Sequence, residues 1–277
     1  MNRVEIADND VYFMEVLKDM ILINNNYSGL ILFNSNLEQI CRLEVIEGLS
    51  IYSSYIHEKE VLLFCPENKC FVYVDFSLNK KKIILLKEFQ DWIFSPLYVW
   101  CQSSVLLSDY KGNFVNVDLK KEKISMVNIH DTVYQRELAD IEKLREYQVY
   151  KIFSEKKKAL VYFQNLKVGL IDYNQDIKVL KEFKKENCYD FEWADGYTAK
   201  ISEKKIEIFN GNNIITYNPS KNYNILRGKI MNFKGNMYVY ILNALKSNDK
   251  RGKIERMELC CDNCDLRCHN TEFNEAE

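Results

Sequence analysis

The stretch Val105-Leu106-Leu107-Ser108-Asp109-Tyr110-Lys111-Gly112-Asn113-Phe114-Val115-Asn116-Val117-Asp118 constrains the chain more than any other. An apolar run meets a Lys-Gly-Asn turn, and an alternating strand follows that ends on Asp. Strand, tight turn, strand is the signature of a β-hairpin. The same unit recurs five more times. It appears as Met20–Asn34, Val61–Asp75, Ala159–Asp172, Tyr197–Asn210 and Lys229–Leu242. Repetition at a fixed interval outweighs any local reading, because each copy can bury its apolar faces only against its neighbours.

The closing residues Asn34, Asp75, Asp118, Asp172 and Asn210 are 41, 43, 54 and 38 residues apart. An interval near 40 holds four short strands. A first strand is expected before each hairpin, at Val11–Val16, Ile51–Ile56, Leu97–Cys101, Val149–Phe153, Asp190–Trp193 and Tyr223–Leu226. A fourth is expected after it, at Gln39–Val45, Lys82–Leu86, Lys123–Val127, Ile177–Leu180 and Ile214–Tyr217. The closing Asp and Asn residues read as turn formers, since a short polar side chain bonds its own turn. The repeat pattern resembles the β-propeller superfamily over residues 1–259. That resemblance implies an all-β fold: a six-bladed β-propeller of four-stranded antiparallel blades. There is no Gly-His…Trp-Asp pairing and no double-Gly motif, so no narrower family is implied. Closing the ring requires a strand from either Val4–Ala7 or Ile254–Cys260.

The long third interval has its own cause. From Thr132 to Arg145, Tyr134, Leu138, Ile141 and Leu144 recur at helical spacing. Thr132 and Gln135 match a capping box, and Arg136 and Asp140 stand one turn apart. One short helix is therefore expected between blades 3 and 4, within an insertion over 132–146. It is either a lid packed on the blades or a docking element presenting Leu138.

Composition narrows the function classes. A net charge of −2, with 38 basic and 40 acidic residues, gives no field suited to general nucleic-acid binding. No apolar run approaches the roughly 18 residues of a membrane span. The N-terminal residues lack the apolar core of a signal peptide. Nine cysteines, an odd number, suit reduced thiols and a cytoplasmic location. Cys41, Cys65, Cys70, Cys101 and Cys188 sit in strand-like segments and read as small buried hydrophobes. Enzyme signatures are missing: there is no nucleophile elbow, no phosphate loop and no zinc-protease motif.

Two candidate sites remain. The loops that join successive blades carry Trp92, His130, Tyr189 and Tyr223, and aromatics on loops anchor partners when they do not fold under to cover blade edges. The first functional expectation is accordingly a non-catalytic scaffold that takes a protein or peptide. The rival is a small-molecule enzyme at the channel mouth, with or without a metal; converging carboxylates would favour it. The second candidate is the tail at 260–277, where Cys260, Cys261, Cys264, Cys268 and His269 crowd together before an acidic end. Cys261 and Cys264 have C-x2-C spacing, which suits zinc, or less readily an Fe–S cluster. Four ligands within so short a span are cramped for one tetrahedral ion, and a reduced, unliganded tail is the plain alternative. If the cluster is a site, protein purified without chelator carries about one zinc or iron per chain and Cys264→Ser removes it. Metal-free protein that the substitution leaves unchanged ends that reading.

Overall fold

The structure, a computed structural model, describes residues 2–6, 9–128, 134–153, 156–164, 166–174, 176–247 and 251–259. Six four-stranded antiparallel sheets form a closed ring, and the expected six-bladed β-propeller is present. Counting strands outward from the axis, blade 1 is Met14–Leu17, Met20–Asn25, Gly29–Asn34 and Gln39–Glu44. Blade 2 is Ser53–His57, Glu60–Cys65, Cys70–Asp75 and Lys80–Leu85. Blade 3 is Phe94–Cys101, Ser104–Asp109, Phe114–Asp118 and Lys123–Val127. Blade 4 is Gln148–Phe153, Lys158–Phe163, Lys167–Asp172 and Lys178–Lys184. Blade 5 is Asp190–Ala194, Tyr197–Ile201, Ile206–Asn210 and Asn213–Tyr217.

Blade 6 departs from the expected frame. Its first strand is the continuous Tyr223–Phe233, paired with Asn236–Leu245 and then Gly252–Leu259. What reads in sequence as a first and a second strand is one long strand with a bulge between Ile225 and Arg227. Gly228 breaks the apolar pattern for a packing reason, because a Cβ there would meet Ile206 and Ile201 side-chain atoms at 3.0 and 3.1 Å. Both proposed closing segments are used. Residues 252–259 supply the third strand, and Asn2–Ile6 pairs with it as the outer strand, Val4 opposite Ile254.

Alternation builds the core. In blade 2, Val61, Leu63, Cys65, Cys70, Val72 and Val74 face blade 1, while Leu62, Phe64, Phe71 and Tyr73 face blade 3. Period-2 side chains thus feed two different seams from one sheet. Each apolar cluster draws on a pair of neighbouring blades, so the core is a ring of six seams. Of the cysteines read as hydrophobes, Cys65 and Cys70 are fully buried and directly opposed, whereas Cys41, Cys101 and Cys188 are half-buried.

The closing residues act as turn formers. Asp75 accepts from Ser77 N and Leu78 N at 2.8 and 3.1 Å, and Asp118 from Lys120 N and Lys121 N at 3.0 and 2.9 Å. Asn34 and Asp172 hold their turns in the same way. Hydrogen bonds from the Lys121 and Lys120 amides hold the Asp118 carboxyl below its usual range.

The inserted helix is Gln135–Leu144. It starts later than expected: Tyr134 is the N-cap, without a side-chain capping bond, and Gln135 is the first helical residue rather than the third. Thr132 and the side chains of Arg136 and Asp140 lie outside the described residues. Leu138, Ile141 and Leu144 are buried with Leu97, Phe114, Ile152 and Tyr173, so the helix wedges the seam between blades 3 and 4. The packed-lid reading holds for this face, and Leu138, 1% exposed, points into the seam rather than to a partner. Arg145 bonds the Gly112 carbonyl and lies 5.0 Å over the Phe114 ring, which ties the helix end to the blade 3 turn. Leu138→Ala should cost about 2–5 kcal/mol in urea unfolding, while Glu142→Ala on the exposed side stays within about 0.5 kcal/mol.

Candidate functional site

Strand direction divides the two faces of the ring. The second-to-third-strand turns and the blade-to-blade connections share one face, called here the loop face. The first-to-second and third-to-fourth turns share the other. The helix therefore lies on the loop face, while Leu259, opposite Met237 at the start of its strand, ends on the far face. Residues Cys260, Cys261, Cys264, Cys268 and His269 lie outside the described residues, as does His130.

Polar side chains, buried at Asn24 and Asp109 and half-buried at Asn68 and Tyr12, shape the loop face. Asn24 is fully buried; it accepts from Tyr12 N and Phe13 N at 2.9 Å each and donates to the Asp10 and Asn26 carbonyls at 2.7 and 2.8 Å. Asn68 pins the next connection through Ser50 N at 3.0 Å and Gly48 O at 3.1 Å. Asp109 holds the blade 3 turn through Lys111 N and Asn113 N at 2.8 and 2.7 Å. Tyr12 donates to Leu49 O at 2.9 Å and accepts from Ile51 N, which staples blade 1 to blade 2.

Several aromatics crown this face. Tyr27, Tyr52, Ile93, Tyr110, Leu166 and Tyr189 are 40–75% exposed on loops or turns of this face, and only Leu78 is comparable in the described turns of the opposite face. Burial, with Tyr52 and Tyr162 nearby, pushes the Tyr110 hydroxyl up. Tyr189 donates to Ile225 O at 2.7 Å, and burial raises its hydroxyl too. Tyr223 is half-buried beneath the Lys253 ammonium, 4.3 Å from its ring. Trp92 folds under, edge-on to Phe89 at 5.1 Å and beside Phe94. Of the sequence candidates, Tyr189 thus reaches the first strand of blade 6, which Tyr223 begins, Trp92 covers a blade edge, and Leu138 is internal. Tyr27, Tyr52 and Tyr110 escaped the sequence reading, though each sits at the end of an apolar strand run where a turn begins or a connection ends.

The innermost strands enclose a channel of about 820 Å³. At its waist, Lys229 Nζ lies 2.8 Å from both Glu15 Oε2 and Glu192 Oε1. Lys151 contacts the same Glu192 oxygen, Asp190 Oδ1 at 3.5 Å and the Phe191 carbonyl at 3.2 Å. Ser54 donates to Glu15 at 3.1 Å, and Tyr150 donates to Asp190. Burial opposes the charge on Lys151, but Asp190 and Glu192 overcome it and hold the ammonium above its usual range. Lys229 is raised likewise, Glu15 and Glu192 outweighing burial. Burial also opposes ionisation of Asp190; Lys151 and Lys229 outweigh it and keep the carboxyl low. A bulge between Val149 and Lys151 re-aims this strand, and Tyr150 and Lys151 both line the channel. The three carboxylates converge, which favours the enzyme alternative, yet each is held by a lysine or a tyrosine. The arrangement is an ion-paired collar rather than a poised acid and base.

No family model matches this sequence, and no curated protein matches it. Solved structures match its shape. KlHsv2 with loop 6CD replaced by a Gly-Ser linker gives a TM-score of 0.53 at 10% identity, over 91% of this chain and 98% of that one. The Cps50 (Swd1) β-propeller domain of Myceliophteria thermophila gives 0.52 at 9% identity, over 91% and 99%. The Pan2 WD40 domain of Neurospora crassa gives 0.50 at 9% identity, over 89% and 88%. Likeness at such identity establishes the fold and nothing about activity.

Glu192 is the shared ligand of both lysines, so its loss leaves each with a single carboxylate, Glu15 for the buried Lys229 and Asp190 for the partly buried Lys151. Glu192→Ala should cost about 3–5 kcal/mol in denaturant unfolding, whereas Lys151→Met with Glu192→Leu should be milder than the sum of its singles. Because the Asp190 pKa is depressed, its contribution is full above the ordinary carboxylate value and fades as pH falls below it. Asp190→Asn should flatten that acid limb of the stability curve.

Proposed function

We propose that the chain is a non-catalytic scaffold that binds a protein or peptide on its loop face, in the cytoplasm. One observation carries this reading: exposed large apolar side chains in the described turns and connections gather almost entirely on one face. Aromatics on a rigid base anchor partners at little cost in side-chain entropy. The base is rigid because Asn24, Asn68 and Asp109 hold its loops from beneath. The Pan2 WD40 domain, similar in shape, is consistent with such a role. The five described cysteines are all free thiols, which supports the cytoplasmic part of the proposal.

The test is a native pull-down with mass spectrometry, comparing the parent with Tyr52→Ala/Tyr110→Ala. Both tyrosines are more than 60% exposed, so the pair should leave the thermal midpoint unchanged. A partner recovered in stoichiometric amount by the parent and lost by the double variant supports the reading. A partner retained in full by the variant, or none with either protein, overturns it.

A further inference from the structure

The geometry points to an acidic peptide segment as the occupant of the loop face, with one of its carboxylates received by Arg227 in the channel mouth; this rests on the scaffold reading above. Among the described residues five cations line the channel: Lys18, Lys151, Lys156, Arg227 and Lys229. Lys18 pairs with Glu58 at 3.6 Å, Lys156 with Asp195 at 3.4 Å, and the remaining two lysines belong to the collar. Arg227 alone among them has no carboxylate within ion-pair distance among the described residues. Its guanidinium spends one bond, 3.0 Å, on the neighbouring Leu226 carbonyl. The bulge after Ile225 sets its position, one turn of alternation above Lys229 and beside Tyr189. A planar fork with free donors, set in a tyrosine-walled recess, is suited to a carboxylate.

The surrounding rim has the same sign. The second-to-third-strand turns of blades 5 and 6, and the connection between those blades, present Lys204, Lys205, Lys221 and Lys246. The one acid of these segments among the described residues is Glu203, already bonded to Asn224. Lys246 donates to the Lys221 carbonyl and has no acid partner among the described residues, while Lys205 pairs with Glu207 at 2.7 Å. Across the face the balance reverses, with Glu47, Glu67, Glu88 and Asp91 exposed on the connections and turn around blade 2 against Lys69 and Lys87. That reversal orients a short acidic segment on the blade 5–6 side, and it repels a long polyanion laid across the mouth. A peptide is therefore favoured over a nucleic acid.

Fluorescence anisotropy of the full chain tests this, using a labelled short Glu-rich peptide, a Lys-rich counterpart and a single-stranded DNA oligonucleotide. The Glu-rich peptide should bind, and its affinity should fall as sodium chloride rises. Arg227→Gln should weaken it by about tenfold or more at an unchanged thermal midpoint, since bonds to charged groups are worth that much. Lys221→Gln with Lys246→Gln should weaken it less and reduce the salt dependence. Arg227→Gln binding like the parent, preference for the Lys-rich peptide or the oligonucleotide, or no binding of the Glu-rich peptide at low salt each overturns the inference. If that happens while a captured partner still depends on Tyr52 and Tyr110, the scaffold reading stands alone. If the Glu-rich peptide binds through Arg227 and the tyrosine pair is dispensable for capture, the scaffold reading of the aromatic face is what fails.

Discussion

Every sheet in this molecule is apolar on both faces, and that constraint sets the rest. Strand by strand, odd positions feed one seam and even positions the next, as Leu63 and Leu62 do in blade 2. A lone blade would leave both faces wet, at roughly 25 cal/mol for each Å² exposed. Only a closed ring gives every face a partner. Closure here joins residues from the two ends of the chain, Asn2–Ile6 against Gly252–Leu259, so the last blade forms only when the ring does. The buried Tyr240 hydroxyl, donating to Ser35 O at 2.8 Å across the blade 6–1 seam, is another long-range contact that closure makes available.

Much of this was legible because local signals agree with the global fold. The outer strand Lys123–Val127 has the expected bounds, and most other strands in blades 1–5 shift by only a few residues at either end. Asp75, Asp118 and Asp172 read as turn formers because an Asx turn is a purely local device. Blade 6 misled the reading at Arg227-Gly228. A glycine inside an apolar pattern looks like a turn, but this one makes room for Ile201 and Ile206 of blade 5, which no neighbour in sequence announces. The helix start was missed for a related reason: Thr132 and Gln135 have capping-box spacing, yet burial of Leu138, Ile141 and Leu144 decides where the helix lies, and its N-cap is Tyr134.

The channel was not legible as a site, because its members are scattered from residue 15 to residue 229. A faint signal did exist. Glu15, Lys151, Glu192 and Lys229 each stand inside a first strand with an apolar or glycine residue on either side, as in Met14-Glu15-Val16 and Phe191-Glu192-Trp193. A charge in the middle of an innermost strand has nowhere to go but the axis. Six such strands bring those charges within reach of one another, and charges so buried persist only when paired.

The same reasoning separates the two mouths of the channel. Below the collar, turns of neighbouring blades satisfy one another: Lys18 with Glu58, Lys59 with Asp19, and Asp195 with both Lys156 and Asn232. A partner docking there would have to break ion pairs and desolvate their members before gaining anything. Above the collar the surface is built differently. Its loops are fixed by the buried Asn24 and Asp109, by the half-buried Asn68 and by backbone bonds, none of which a partner has to break. Its outward groups are tyrosine rings and an arginine whose donors are largely unspent. Binding strength comes from interactions a free surface has not already made with itself, and by that criterion the loop face is the side of the ring with affinity left to give.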